Sequence, residues 1–167
     1  RAREELDARY RNLLDISPDA IYVHSEGRVV LINEAGAKLF GAVSAEQMVG
    51  VATLELVHPD DRQMVQKRQE ELRTRDNGLI RIDQKRLRLD GSMFHAEIAA
   101  TPMVWEGKRG GMVIVRDITE QLAQEKTIRD NEERFRDMAT NVPGMVYQRI
   151  MYPDGRVEYP FMNEGIR

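Results

Sequence analysis

Apolar residues in this chain recur at two spacings, and the switches between them mark out its elements. In "RAREELDARYRNLLDIS", Leu6, Tyr10, Leu13 and Leu14 fall on one helical face, and Glu5 precedes Arg9 by four residues on a solvated one. This predicts an amphipathic helix, stopped at Ser17-Pro18. "AIYVHSEGRVVLIN" then gives two β-branched runs around Glu26-Gly27, the spacing of a tight hairpin. From Asn33 the texture becomes helical in short pieces: "EAGAKLF" behind an Asn33 cap and "SAEQMV" behind Ser44, with Gly41 and Gly50 as stops. "HPDDRQMVQKRQEELRTRDNG" reads as a longer helix with Pro59 at its first position, Asp60 and Asp61 in its first turn, and Asn77-Gly78 at its end.

Three strand-like runs follow, "LIRIDQKRLRLD", "MFHAEIAATPMVW" and "KRGGMVIVRDI", joined by turn signals at Asp90-Gly91 and Glu106-Gly107. The first alternates on even numbers at Ile80 and Ile82, then on odd ones at Leu87 and Leu89, which predicts a bulge or strong twist near Gln84. The third is apolar on both faces from Met112 to Val115, so it is expected to be a central strand covered on both sides. A helix begins near Thr119. Its acid-to-arginine pairs at four-residue spacing (Glu125 with Arg129, Asp130 with Arg134, Glu132 with Arg136) suit an exposed helix, while Leu122, Ile128 and Phe135 are too sparse for a coiled coil. A five-stranded antiparallel sheet with short helices on one face and a flanking helix on the other satisfies the whole pattern, an α+β fold.

The C-terminal stretch repeats the beginning. Placing "ERFRDMATNVPGMVY" under "ARYRNLLDISPDAIY" puts Arg134, Phe135 and Arg136 under Arg9, Tyr10 and Arg11, Pro143 under Pro18 and Tyr147 under Tyr22. After a small insertion, Gly155-Arg156-Val157 falls under Gly27-Arg28-Val29, and Asn163-Glu164 under Asn33-Glu34. One unit therefore begins twice, and its second copy is expected to stop just after its first hairpin and the start of its first short helix. Lacking its remaining strands, that copy can bury little, so the last thirty or so residues are expected to be disordered or to borrow a neighbour's surface.

Composition narrows the chemistry. Hydrophobic residues make up 41% and charged ones 32% of 167, an ordinary soluble globular balance. With 25 basic and 28 acidic residues the net charge is −3, which offers no field for a nucleic acid backbone. The absence of cysteine rules out disulfides, thiolate nucleophiles and cysteine-ligated metals, and suits a reducing compartment. No apolar run nears the roughly 20 residues of a membrane helix. Because the chain opens on Arg1, we read it as a segment of a longer polypeptide. His58-Pro59-Asp60-Asp61-Arg62 reads as a helix start rather than an acid/base site, and His24, His58 and His95 are scattered, expected to be satisfied or exposed and not metal ligands. There is no phosphate loop and no nucleophile with a base at a recognisable spacing.

The unit resembles a PAS domain in four motifs taken in order: "SPDAIYVHSEGRVVLINEAGAKLFG", "LVHPDDR", "LDGSMFHAEIAATPM" and "VIVRDITEQ". The resemblance covers about residues 8–120 in full and 132–167 in part. It implies a flanking helix over 1–17, a PAS domain over 18–118, a connector helix over 119–138 and a truncated second PAS domain over 139–167. It implies further a noncatalytic sensory or relay module of a cytoplasmic bacterial signalling protein, of histidine kinase or diguanylate cyclase/phosphodiesterase type, whose parent could be membrane-anchored. The alternative is a purely structural spacer that dimerises its neighbours and binds no ligand.

The resemblance also points to a pocket between the helices and the sheet, lined by Tyr22, Leu39, Phe40, Met48, Leu56, Met64, Phe94, Ile98 and Ile114, with room left by Ala96, Ala99 and Ala100; the same residues could equally fill a dry core. Asp117-Ile118-Thr119 is where, in the family, core changes pass to the output helix. Leu6, Tyr10 and Leu13 are expected to cover either the domain's own sheet or a second copy's, making a homodimer. Neighbouring PAS and output domains and a small ligand complete the expected partners, with no nucleic acid and no membrane contact. No cofactor is expected. The flavin and cinnamoyl chemistries of the family need a cysteine, and its haem branch a histidine in the long helix, where this chain offers only Met64.

Overall fold

The structure, a computed structural model, describes residues 10, 12–73, 78–141 and 143–162. It divides into two compact units, Arg1–Glu120 and Gln121–Arg167.

The first unit is built on five antiparallel strands: β1 (Ala20–Ser25), β2 (Arg28–Ile32), β3 (Ile80–Leu87), β4 (Met93–Trp105) and β5 (Lys108–Asp117), in the order β2-β1-β5-β4-β3. The run that is apolar on both faces, β5, is the central strand. Tight turns set the hairpins. Glu26 and Gly27 (φ 51° and 77°) and Glu106 and Gly107 (φ 48° and 79°) are all left-handed, the pairing whose twist matches that of the strands it joins. Between β2 and β3 run α1 (Glu34–Leu39), α2 (Ala45–Met48), a 3-10 turn over Thr53–Leu56 and α3 (Pro59–Arg73). Pro59 opens α3 with Asp60 and Asp61 in its first turn, as the sequence predicts; Asn77, at its expected end, lies outside the described residues. Both sheet edges are guarded. Val29 exchanges backbone hydrogen bonds with Val51 and Gly50 at one edge, and at the other the Lys85 carbonyl accepts from His58 N while Lys85 N donates to Asp61 Oδ2.

Asn33 is the keystone of the first hairpin. Fully buried, its Oδ1 accepts from Ile21 N and from Gly36 N, both at 2.9 Å, while Nδ2 donates to the Leu14 carbonyl at 2.8 Å and the Asp19 carbonyl at 3.0 Å. One side chain thus caps α1, locks β1 and holds the N-terminal helical segment (residues 12–16). Ser44, the other expected cap, makes no side-chain capping bond.

One strand departs from expectation. Of the bulge or strong twist expected near Gln84, the bulge is absent: β3 pairs with β4 without a register shift from Ile80↔Ala100 to Leu87↔Met93. The even-numbered face continues inward through Ile80, Ile82, Gln84 and Arg86, and the apolar Leu87 sits on the other face. The ladder keeps its register and buries two polar residues instead. The irregularity lies elsewhere, between Val23 and His24 where β1 meets β2.

In the second unit the chain continues along α4 (Thr119–Asn141) into a two-stranded hairpin, β6 (Tyr147–Met151) with β7 (Val157–Met162). Residues 147–162 form this hairpin in place of the disorder that is one of the two alternatives expected for the last thirty or so residues; 163–167 lie outside the described residues. The hairpin closes on its own turn, where Tyr152 N donates to the Arg156 carbonyl and Gly155 is left-handed. Aromatic contacts add to it, Tyr147 with Tyr159 and Phe135 with Phe161. The three expected ion pairs of α4 are not closed within 4 Å among the described residues, and Glu125 instead accepts from Gln121 Nε2. On an exposed helix the entropy of fixing two long side chains outweighs so weak an attraction.

Candidate functional site

The inward face of the sheet carries Ala20 and Tyr22 on β1, Val113 and Val115 on β5, and Phe94, Ala96 and Ile98 on β4; Phe40, Met48 and Leu56 close over them from the helical side. Phe40 is central, edge-on to both Tyr22 (6.2 Å between centroids) and Phe94 (5.9 Å). Of the nine residues expected around a pocket, Tyr22, Phe40, Met48, Leu56, Phe94 and Ile98 meet in this core, with half-buried Leu39 against it. Two lie outside it. Met64 is 38% exposed on α3, and Ile114 points to the opposite face from Val113 and Val115, as strand alternation requires. Ala99 shares Ile114's face, so only Ala96 and Ala100 thin the inner one.

Two polar side chains enter the same core. Arg86 is 3% and Gln84 5% exposed. The Arg86 side chain makes a single hydrogen bond, from Nη1 to the Tyr22 hydroxyl at a long 3.4 Å; its Nε and the Gln84 Oε1 have no partner. Near them His24 is desolvated, and burial first, then the positive charge of Arg86, hold its pKa below the ordinary 6.5. Its Nδ1 is buried without a partner, so His24 is neither satisfied nor exposed as the sequence suggests.

The His24 ring borders an open cleft of about 320 Å³ between the end of the sheet and α3, floored by Ala100, Pro102 and Gly111 and walled by Gln66 and Gln69. None of the nine expected residues lines it. A Cβ on Gly111 would come within 2.8 Å of His24 Nε2, so any larger residue here would require the imidazole to move.

At the other end of the sheet, Arg88 joins three elements. It donates from Nε to the Leu39 carbonyl at the end of α1, pairs through Nη2 with Asp117 at 2.9 Å, and lies 4.5 Å over the Phe94 ring. Asp117 also accepts from Thr119 N, Thr119 Oγ1 accepts from His95 N, and Ile118 N donates to the His95 carbonyl. The residues Asp117, Ile118 and Thr119 are thereby pinned to β4 and, through Arg88, to the helical face. At the N-terminus, Leu6 lies outside the described residues, whereas Tyr10 and Leu13 are exposed.

Residues 8–118 match the family model for the PAS fold. The chain belongs to the PAS family. It is 27% identical over 125 residues to sporulation kinase A of Bacillus subtilis, covering 75% of this chain and 21% of that protein. It is also 31% identical over 142 residues to an uncharacterised protein of Azorhizobium caulinodans, covering 81% of this chain and 19% of the relative. The chain spans about a fifth of the length of these curated relatives. Among solved structures, the PAS domain of an HTR-like protein from Haloarcula marismortui superposes with a TM-score of 0.60 at 24% identity, over 70% of this chain and 95% of that one, which shows the shared fold.

As a PAS-type sensory domain, distantly related to those of histidine kinases, this is a noncatalytic module. Without cysteine it cannot form the covalent flavin or cinnamoyl attachments of some PAS domains. None of its described helices is long and apolar enough to cross a membrane. Sequence reasoning missed Arg86, Gln84 and Arg88. The signal for the first two was present: even-numbered alternation from Ile80 carried on by two residues puts them in the core, at the cost of burying polar atoms that a bulge would have spared.

Proposed function

We propose that this PAS domain is the sensory and relay module of a multidomain bacterial signalling protein, of histidine kinase or cyclic-dinucleotide enzyme type. In this reading residues 18–118 hold a small molecule, and Asp117-Ile118-Thr119 pass its effect into the helix that follows. Residues 139–167 begin a second PAS domain, and Tyr10 and Leu13 contribute to a homodimer face. The observation that carries the reading is the Arg88 link. A ligand that shifts α1 or Phe94 loads the same guanidinium that holds Asp117, two residues before the helix starts. Similarity to sporulation kinase A supports the kinase setting. The relay still requires two states that an input favours unequally.

A second reading, a structural PAS spacer without ligand, is favoured by one feature: Phe40 and Met48 are wholly buried, and the open cleft is lined by none of the expected pocket residues. Native mass spectrometry of the chain beside a denatured sample separates the two. A dimer that releases a small molecule on denaturation is the outcome expected for the sensor. A dimer of bare 19.3 kDa chains would favour the spacer, and a bare monomer would sink the dimeric relay in both forms.

A further inference from the structure

We infer that the ligand of this core is a small organic carboxylate, held by Arg86 with Tyr22 and Gln84. The inference rests on the sensor reading above and names the chemistry of its ligand. A guanidinium stays protonated at any pH the protein meets, so Arg86 cannot escape burial by titrating. It carries five N–H donors, and with 3% exposure it makes one long hydrogen bond to a neutral phenol. No carboxylate of the described residues lies within 4 Å of it. Among the described residues of the first unit the close cation–carboxylate pairs lie at the surface, including Arg88 with Asp117 and Arg116 with Asp19, and none of them reaches the arginine in the core. A buried charge left in that condition is strongly unfavourable, and supplying a hydrogen-bonded anion removes the penalty.

The surroundings select the size and type of that anion. Nε is unpaired and Nη1 only weakly occupied, and a carboxylate can take two parallel N–H bonds from a guanidinium. Gln84, two residues back on the same strand face, adds a second unsatisfied polar group, and the strand partner of Gln84 is the small Ala96. Tyr22, Val113 and Ala100 form one row across three strands; Ala100 lines the cleft, and at the other end of the row the Tyr22 hydroxyl meets Arg86. An acid with a short apolar body fits this order of surfaces, its head on Arg86 and its body over Ala100 and Gly111 toward the cleft.

The test uses the whole chain in differential scanning fluorimetry and calorimetric titration at constant ionic strength. Acetate, butyrate, benzoate and succinate are compared with acetamide, butyramide and benzamide, each up to about 10 mM. We expect at least one carboxylate to raise Tm in a saturating manner while its amide does nothing, since a ligand stabilises only the state that binds it. Arg86→Met should weaken that carboxylate about tenfold or more, and should melt no lower than the ligand-free parent because it removes the orphan charge. Arg86→Lys, which keeps the charge, covers the case in which the methionine variant fails to fold, and should retain part of the response. Equal shifts from acid and amide, an unchanged response in the arginine variants, or no carboxylate response at all would overturn the inference. If native mass spectrometry meanwhile released a neutral molecule, the sensor reading would survive without the anion. Bare chains together with no carboxylate response would sink both.

Discussion

The chain contains two hairpins written in the same local grammar, and they have opposite fates. In the first, Tyr22 pairs with Ile32 just before Asn33; in the second, Tyr147 pairs with Met162 just before Asn163. Each has one register irregularity, between Val23 and His24 in the first and between Gln148 and Ile150 in the second, the same place once the repeats are aligned. Yet Tyr22 is 2% exposed and Tyr147 53%, Val29 0% and Val157 37%. Pairing, turn and bulge follow from some thirty local residues. Burial does not: it needs the short helices that follow the hairpin and, above all, β3 to β5, which lie about fifty residues or more further along the chain. Two-stranded hairpins by themselves are marginal in water, so the comparison separates what a local sequence specifies from what tertiary packing stabilises.

The sharpest way to test that separation is to truncate the two matched tyrosines. Tyr22→Ala should destabilise the first unit by about 3–5 kcal/mol, as buried aromatic truncations do, and it also strips Arg86 of its hydroxyl partner. Tyr147→Ala should leave the same transition unchanged within about 0.5 kcal/mol. Trp105, the sole tryptophan, lies at the end of β4 in the first unit, so its fluorescence during urea unfolding reads that transition alone. Similar losses from both substitutions would mean that the second hairpin contributes to the first unit's stability, and the contrast would fail.

A smaller effect is expected at Asn33. Alanine there removes a helix cap and leaves the Ile21 and Gly36 amides and the Leu14 and Asp19 carbonyls to find new partners, a loss of about 2–3 kcal/mol by the same urea assay. Asn33→Asp is the finer probe. It keeps the acceptor for both amides but turns the Nδ2 donor into an oxygen facing two carbonyls, so it should be destabilising despite its nearly identical shape. If aspartate were tolerated as well as asparagine, the bonds to Leu14 and Asp19 would be irrelevant to the hairpin's fixation.

What could be read from the sequence follows the same division. The turns at Glu26-Gly27 and Glu106-Gly107, the Asn33 cap, the start of α3 at Pro59 and the central position of β5 all rest on residues within a few positions of one another, and all are present. Beyond these, the failures share a cause. The bulge expected at Gln84 assumed that polar residues avoid the core, but β3 is an edge strand whose register is fixed by eight consecutive pairs with β4, and those pairs override the preference of two side chains. Met64 enters the expected pocket by residue type alone, and Ile114 by its place in a run apolar on both faces, where alternation does not tell which side is inward. Arg88 reads as one more surface arginine until the fold brings Leu39, Phe94 and Asp117 around it.

The least of the three expected effects concerns pH and belongs to the first hairpin alone, because the repeat puts the exposed Arg149 where the first hairpin has His24. His24 faces the Tyr22 ring and the Arg86 charge from within and Gln66 and Glu70 across the cleft. Its folded pKa lies below 6.5, so the unfolded chain takes up this proton first as the solution is acidified. Stability should therefore be unaffected by this group above about pH 6.5, decline as the pH falls below that value, and level off once the folded pKa is passed. Asp19, whose pKa is lowered by Arg116, loses its contribution only below the ordinary carboxylate value of 3.8, beneath a range that stops at about pH 5. Urea midpoints taken at half-unit steps from pH 7.5 to 5 should fall toward acid in the parent chain, and the slope should flatten in His24→Gln. An unchanged slope in that variant would assign the titration to another group and would mean that burial beside Arg86 does not depress His24.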